Sequence, residues 1–194
     1  MDELNHRVKN NLTTVLAIAK QTLKQTRDPQ QFEASFMGRI LALSRAHSLL
    51  SAETWRGANL RDLVRDQMSL GWTEEGRVVQ SGDAILLEPQ TASHVALMLH
   101  ELVTNATKYG AMACPLGRIT IAWTVQNQEL QLSWMERGGP PVVPPSRRGF
   151  GTVLIERSAM ACGGSAKATY DTEGVTWDIT LPLVGGFCQD SRQT

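Results

Sequence analysis

Glu101, Asn105 and Lys108 recur at helical spacing in the stretch HELVTNATKYGA, residues 100–111. At about 100° per residue they fall within about 60° of one another. Leu102 and Ala106 lie on a different side, with Val95, Met98 and Leu99. A carboxylate and an amide oxygen one turn apart can address one hard cation. Magnesium takes one or two protein oxygens and leaves its other positions to water and phosphates. A lysine one turn further on can meet a phosphate. A solvated polar face with an incidental Glu–Lys contact would use the same residues, so the helix alone does not decide between the two.

Two more stretches bear on the choice. RRGFGT, residues 147–152, sets Gly149, Phe150, Gly151 and Thr152 where a loop enters a helix. Backbone amides and a helix N-terminus attract anions there, and Arg147 and Arg148 add charge-assisted donors. No Gly-Lys-Ser/Thr follows, so this is not the P-loop, and it is not the dinucleotide fingerprint. WMERGGPP, residues 134–141, puts Trp134 and Glu136 on the same side of a strand end. Glu136 can accept from the exocyclic amine of a purine, a charge-assisted bond of about 1.5–3 kcal/mol. Trp134 reads as core.

The chain has four histidines: His6, His47, His94 and His100. On the first helix the apolar stripe centres on Val8, Leu12, Val15 and Ala19. His6 points about 150° away from that stripe and is expected to be exposed. His47 lies within the apolar stripe of the second helix and reads as packed. A neutral imidazole is nucleophilic, and a pKa near 6.5 keeps it neutral in a cytosol. In isolation an exposed helical histidine such as His6 reads as a solvated surface residue; beside a nucleotide site it would become the natural nucleophile.

The elements that must position these groups follow from periodicity. Residues 3–26 step by threes and fours through Leu4, Val8, Leu12, Val15, Ala19 and Leu23. Asp28 is a good N-cap, Pro29 suits the first helical position, and Gln31 could complete a capping box. A second helix runs through Phe32, Phe36, Ile40, Leu43, Ala46 and Leu50. Such a hairpin has little to bury alone. Two copies would form a four-helix bundle, so a homodimer is expected, with packing on the same chain as the alternative.

Beyond residue 57, helix and strand alternate. Helices are predicted at Leu60–Leu70, from Pro89 to about Lys108, and at Thr152–Cys162, the last ended by Gly163-Gly164. Strands are predicted at Arg77–Gln80, Ala84–Leu87, Ser165–Tyr170 and Val175–Leu181. Ile119 to Val125 and Leu130 to Trp134 form a hairpin around Gln126-Asn127-Gln128. The fold class is α+β, divided into a hairpin at 1–57, a domain at 58–186 and a frayed tail at 187–194.

Composition is that of a globular chain: 194 residues, 42% hydrophobic and 20% charged, with zero formal net charge. Zero net charge gives no pull toward nucleic acid or a bilayer surface. No apolar run approaches the roughly 20 residues of a membrane helix. Cys114, Cys162 and Cys188 are too few and too scattered for a metal or disulfide framework. A reduced cytoplasmic setting is expected.

Together these stretches resemble the nucleotide-binding boxes of the GHKL (Bergerat) ATPase fold, shared by gyrase, MutL and histidine kinases. The match is close to the HWE family of bacterial sensor histidine kinases, named for residues that stand here as His100, Trp134 and Glu136. The resemblance runs from NHRVKNNL through LRDLV, LHELVTNATKYGA and SWMERGGPPV to RRGFGTVLIER. It implies half of a four-helix bundle followed by an α/β sandwich with a mixed sheet.

The resemblance also implies ATP and Mg2+ as cofactors. Asn105 would bind the magnesium, with Glu101 on the same face, and Lys108 and Tyr109 would contact the nucleotide. Glu136 would read adenine, Gly138 and Gly139 would let the backbone approach the base, and residues 139–151 would form a short lid. His6 would be the phosphoacceptor. Commoner histidine kinases follow that histidine with an acid, where this chain has Arg7, as the HWE pattern does. Asn10, one turn on, could orient water against phosphohistidine. His100 receives no role from spacing.

The implied partners are a response regulator receiver domain and a sensor or input domain, absent here or on another chain. The alternative is a histidine phosphotransfer protein whose GHKL-like domain no longer uses ATP. Intact boxes at Asn105, Lys108, Glu136 and GFG argue against it. A GHKL kinase acting on protein serine would not need the His6 hairpin.

Overall fold

The computed structural model describes residues 2–24, 26, 28–52, 57–68, 76–144 and 149–183, with backbone alone at 2–8, 10–11 and 51–52. Helices α1 (Asp2–Leu23) and α2 (Pro29–Ala52) form an antiparallel hairpin. Asp28 Oδ1 accepts from the Gln30 N–H at 3.1 Å, so the expected cap forms. The expected capping box does not. The Asp28 N–H goes to Thr26 Oγ1, and the Gln31 side chain also pairs with Thr26. Asp28 with Pro29 at the first helical position suffices to start α2.

Next come β1 (Ala58–Asn59), α3 (Leu60–Met68), β2 (Val78–Gly82), β3 (Leu86–Leu87) and α4 (Pro89–Lys108). A single 3₁₀ turn, Ala111–Ala113, leads into β4 (Arg118–Gln126) and β5 (Glu129–Arg137). Helix α5 (Phe150–Ala161), β6 (Ser165–Asp171) and β7 (Gly174–Pro182) complete the fold. The main sheet has the order β2-β4-β5-β7-β6, with β2 parallel to β4 and every other pairing antiparallel. β3 does not join it. It pairs with β1, a two-residue strand too short to leave a periodic signal.

The β4–β5 turn places Asn127 at φ 52° and Gln128 at φ 64°, the left-handed pair of a type I′ hairpin. Alternation then decides the sheet's faces. Ile119, Ile121 and Trp123 on β4, Leu130, Leu132 and Trp134 on β5, and Trp177, Ile179 and Leu181 on β7 are buried in one core with α3, α4 and α5. Thr120, Thr124, Gln131 and Asp178 on the opposite face are exposed. The result is a two-layer sandwich with one wet face.

Ala46 and Leu50 of α2 belong to that same core. Within one chain, the inner side of the hairpin is therefore packed on its own sandwich. The outer stripe is not. Leu12, Leu16 and Leu23 on α1 are 58%, 59% and 61% exposed, and Met37 and Leu41 on α2 are exposed beside them. Among the described residues, no helix is long and apolar enough to cross a membrane.

Candidate functional site: a nucleotide-sized cavity

Helix α4 carries the central polar row. It starts at Pro89 and is capped by Tyr109, whose N–H closes back on the Asn105 carbonyl. Glu101 is buried, Asn105 half-buried and Lys108 exposed, so the row climbs from core to solvent. All three line one cavity of about 630 Å³. Tyr109, Glu136 and Gly139 line it too, as do Gly149, Phe150, Gly151 and Thr152. That volume suits a nucleotide-sized ligand.

The remaining expected residues fall elsewhere. Gly138 does not line the cavity. It turns the chain after β5 at φ +73°, a conformation glycine takes without strain. Arg147 and Arg148 lie outside the described residues. His6 and Asn10 are on α1, described as backbone only. Phe150, Gly151 and Thr152 form the first turn of α5 with Gly149 as its N-cap, so the helix starts two residues earlier than the periodicity indicates.

Glu136, next to last in β5, is 3% exposed. Its Oε1 accepts from Trp134 Nε1 at 3.0 Å and its Oε2 from the Ala111 N–H at 2.8 Å. The tryptophan and glutamate of the Trp-x-Glu motif are thus bonded to each other. Burial pushes the Glu136 carboxyl above its ordinary range, and the two hydrogen bonds pull it back in part. Gly110 allows this approach. A Cβ on it would overlap Glu136 Oε2.

Glu101 has a partner that the sequence did not announce. Arg39 of α2 donates from Nε to Oε1 at 2.8 Å and from Nη2 to Oε2 at 3.2 Å. Burial raises the Glu101 carboxyl, and the Arg39 charge and hydrogen bonds oppose that rise. The cavity wall thereby includes the hairpin, through Thr22, Thr26, Gln31, Ser35 and Arg39, and the sheet, through Tyr170, Gly174 and Trp177. One signal could have flagged Arg39: it is a lone cation between Phe36, Ile40 and Leu43, in the apolar stripe of α2.

His100 faces α2. A Cβ on Gly38 would lie 3.0 Å from its Nε2, so a mid-helix glycine makes room for the ring. Burial, with Arg39, Arg45 and Lys108 nearby, lowers its pKa to about 4. It is a neutral, packed histidine and does not line the cavity.

Asn105 and Glu101 offer hard oxygen donors that fit magnesium. Gly151 comes so near that a Cβ there would lie 3.0 Å from both Asn105 Nδ2 and Glu101 Oε2. Among the described residues, no group of three or more His, Cys, Asp or Glu could hold a metal by itself.

A family model of the HWE histidine kinases matches residues 3–84. Blue-light-activated histidine kinases of Brucella ovis and Brucella anthropi are each 35% identical over 190 residues, covering 93% of this chain and 38% of theirs. The chain thus spans well under half the length of these curated relatives. Among solved structures, a blue-light activated histidine kinase from Erythrobacter litoralis aligns with a TM-score of 0.70 at 19% identity, over 94% of this chain and 58% of that one. Its histidine kinase domain alone aligns at 0.61 and 14% identity, over 88% and 94%. At those identities the solved structures establish a common fold and nothing finer. The match at 3–84, the 35% identity across nearly all of the chain and the shared fold agree: the chain is similar to the HWE histidine kinases over 3–84 and to blue-light-activated histidine kinases over 93% of its length.

Proposed function

We propose that this chain is the catalytic core of an ATP-dependent protein-histidine kinase. The observation that carries the reading is convergence. Residues from 101–109, 136–139 and 149–152, chosen for nucleotide chemistry, line one cavity of about 630 Å³. A phosphotransfer protein that had abandoned ATP would have no need of it.

ATP would enter with its base toward Glu136 and its phosphates toward Asn105, Lys108 and the first turn of α5. The exposed ammonium of Lys108 and the backbone amides at the start of α5 would hold the phosphate charge. Asn105, with Glu101 beside it, would hold magnesium, which when bound neutralises charge across the phosphates. Arg147 and Arg148 remain assigned to the phosphates, and Gly138 to the turn that presents Gly139. His6 would attack the γ-phosphorus in line. The bond to the ADP oxygen breaks, ADP departs and the imidazole proton leaves. Catalysis is then positioning plus charge neutralisation.

The phosphoryl group would pass from His6 to an aspartate of a response regulator docked on the hairpin, with Asn10 orienting water for the reverse hydrolysis. The chain would divide into a hairpin at 1–57 and an ATP-binding domain at 58–186, with a sensor domain as input. A second copy would cover Leu12, Leu16, Leu23, Met37 and Leu41. An ATP-consuming site of this kind belongs in the bacterial cytoplasm.

Incubation with γ-labelled ATP and Mg2+, with His6→Ala alongside, tests the reading. Acid-labile, alkali-stable label on the parent chain but not on His6→Ala is expected. Nucleotide binding without label would remove the kinase assignment, and failure to bind nucleotide would favour the phosphotransfer protein.

A further inference from the structure

Arg39 sits in the middle of α2 and is only 7% exposed. Two nitrogens of its guanidinium, Nε and Nη2, are spent on Glu101. The third nitrogen, Nη1, donates to Thr22 Oγ1 of α1 at 3.2 Å. Its carbon centre lies 3.9 Å over the Phe150 ring at the start of α5. One side chain of the hairpin therefore joins α1, α2, α4 and α5, and it does so at the wall of the nucleotide cavity.

The position of this node on α1 matters. Thr22 lies in the node, and His6 lies on the same helix, about 24 Å away at 1.5 Å of rise per residue. In-line attack needs the reacting atoms about 3–3.5 Å apart. The node fastens the cavity to the loop end of the hairpin, while the acceptor is at the other end. It also occupies Glu101. Both carboxylate oxygens are committed to a rigid fork, one turn from Asn105.

Resting on the kinase reading above, we infer that Arg39 is a positioning residue that latches the hairpin and the nucleotide cavity in an arrangement unable to transfer phosphate. Loading of Mg·ATP and release of Arg39 from Glu101 are coupled. A guanidinium and a divalent cation held by the same carboxylate repel one another, so Glu101 gives up the fork when it takes the nucleotide's cation. Either partner left alone would be an uncompensated buried charge. Glu101 therefore exchanges one positive partner for another, while Arg39 leaves for solvent with the hairpin. Phe150 loses its cationic cap in the same event, which ties the entry to α5 to the same two-state element.

Three variants of the full chain test this: Arg39→Met, which keeps the stem and removes the fork; Arg39→Lys, which keeps the charge; and Thr22→Val, which removes the bond to Arg39 along with the local one to the Ile18 carbonyl. Two quantities are read: the affinity for a fluorescent ATP analogue with Mg2+, and the initial rate of labelling from γ-labelled ATP. Arg39→Met should bind the analogue at least threefold tighter and label at least threefold faster, with the other two between it and the parent chain. A merely structural arginine would not raise either number when removed. Slower labelling with binding intact would mean that Arg39 serves the transfer itself and would overturn the latch, as would unchanged values. If Arg39→Met does not fold, by circular dichroism, the other two variants decide by the same numbers. A parent chain that fails to bind the analogue would remove the kinase reading itself, a result distinct from binding that the variants leave unaltered.

Discussion

At the scale of single residues, the most informative contact is the one between Trp134 and Glu136. Two residues apart on β5, they point to the same side, and the indole N–H is spent on the carboxylate. Trp134 is therefore both core and orienter. It holds Oε1 of Glu136 at the cavity wall, and the Ala111 N–H holds Oε2. Trp134→Phe keeps one buried aromatic ring and removes the fused pyrrole together with its donor. It should cost at least about 1–2 kcal/mol in chemical denaturation, the usual effect of stranding a buried polar partner, with the gap left behind adding to it. Nucleotide binding should weaken up to about tenfold, as roughly 1.4 kcal/mol of lost orientation would give. Unchanged binding, measured by titration, would mean that Glu136 is held by Ala111 alone. The sequence made Glu136 legible as a polar group at a strand end and Trp134 as core. It could not reveal the bond between them, because side-chain direction on a strand gives a shared face and not a shared proton.

At the scale of elements, α4 was the easiest to read and its neighbours the hardest. Twenty residues of amphipathic pattern with Pro at the start and Gly after the end define it in one dimension. The partner of its polar row could not be found that way, since Arg39 is 62 positions away from Glu101. β1 was missed because two residues carry no period, and the start of α5 was misplaced because Phe150-Gly151 looks like loop. The packing of α2 on α4 leads to a pH prediction. His100 lies between them with its pKa lowered from 6.5 to about 4. Between those values the unfolded chain binds a proton that the folded chain refuses. Stability is therefore fully present above pH 6.5 and falls as pH drops toward 4, by up to about 1.4 kcal/mol per unit. His47 and His94, also lowered by burial, add to the same slope. Denaturation midpoints at pH 7 and pH 5 should differ more in the parent chain than in His100→Gln. Equal differences would place the acid sensitivity elsewhere.

At the scale of the whole molecule, the hairpin has two sides with different fates. Its inner side enters the core of the sandwich through Ala46 and Leu50, and its outer stripe of leucines is left to solvent. Leu16→Arg puts a charge in the centre of that stripe without touching the core. It should turn a dimer into a monomer by light scattering while leaving the thermal midpoint of the sandwich within a few degrees. A parent chain that is already monomeric would exclude the four-helix bundle. The cavity, by contrast, draws on residues from Thr22 to Trp177. This spread has a consequence during synthesis. The ribosome makes the hairpin first, but the floor of the cavity only after β7. At about 5–20 residues per second, the inner face of α2 leaves the exit tunnel roughly five seconds before α4, the helix that covers it. Nascent chains must therefore keep Ala46 and Leu50 from premature company, and no half-made chain can sequester nucleotide.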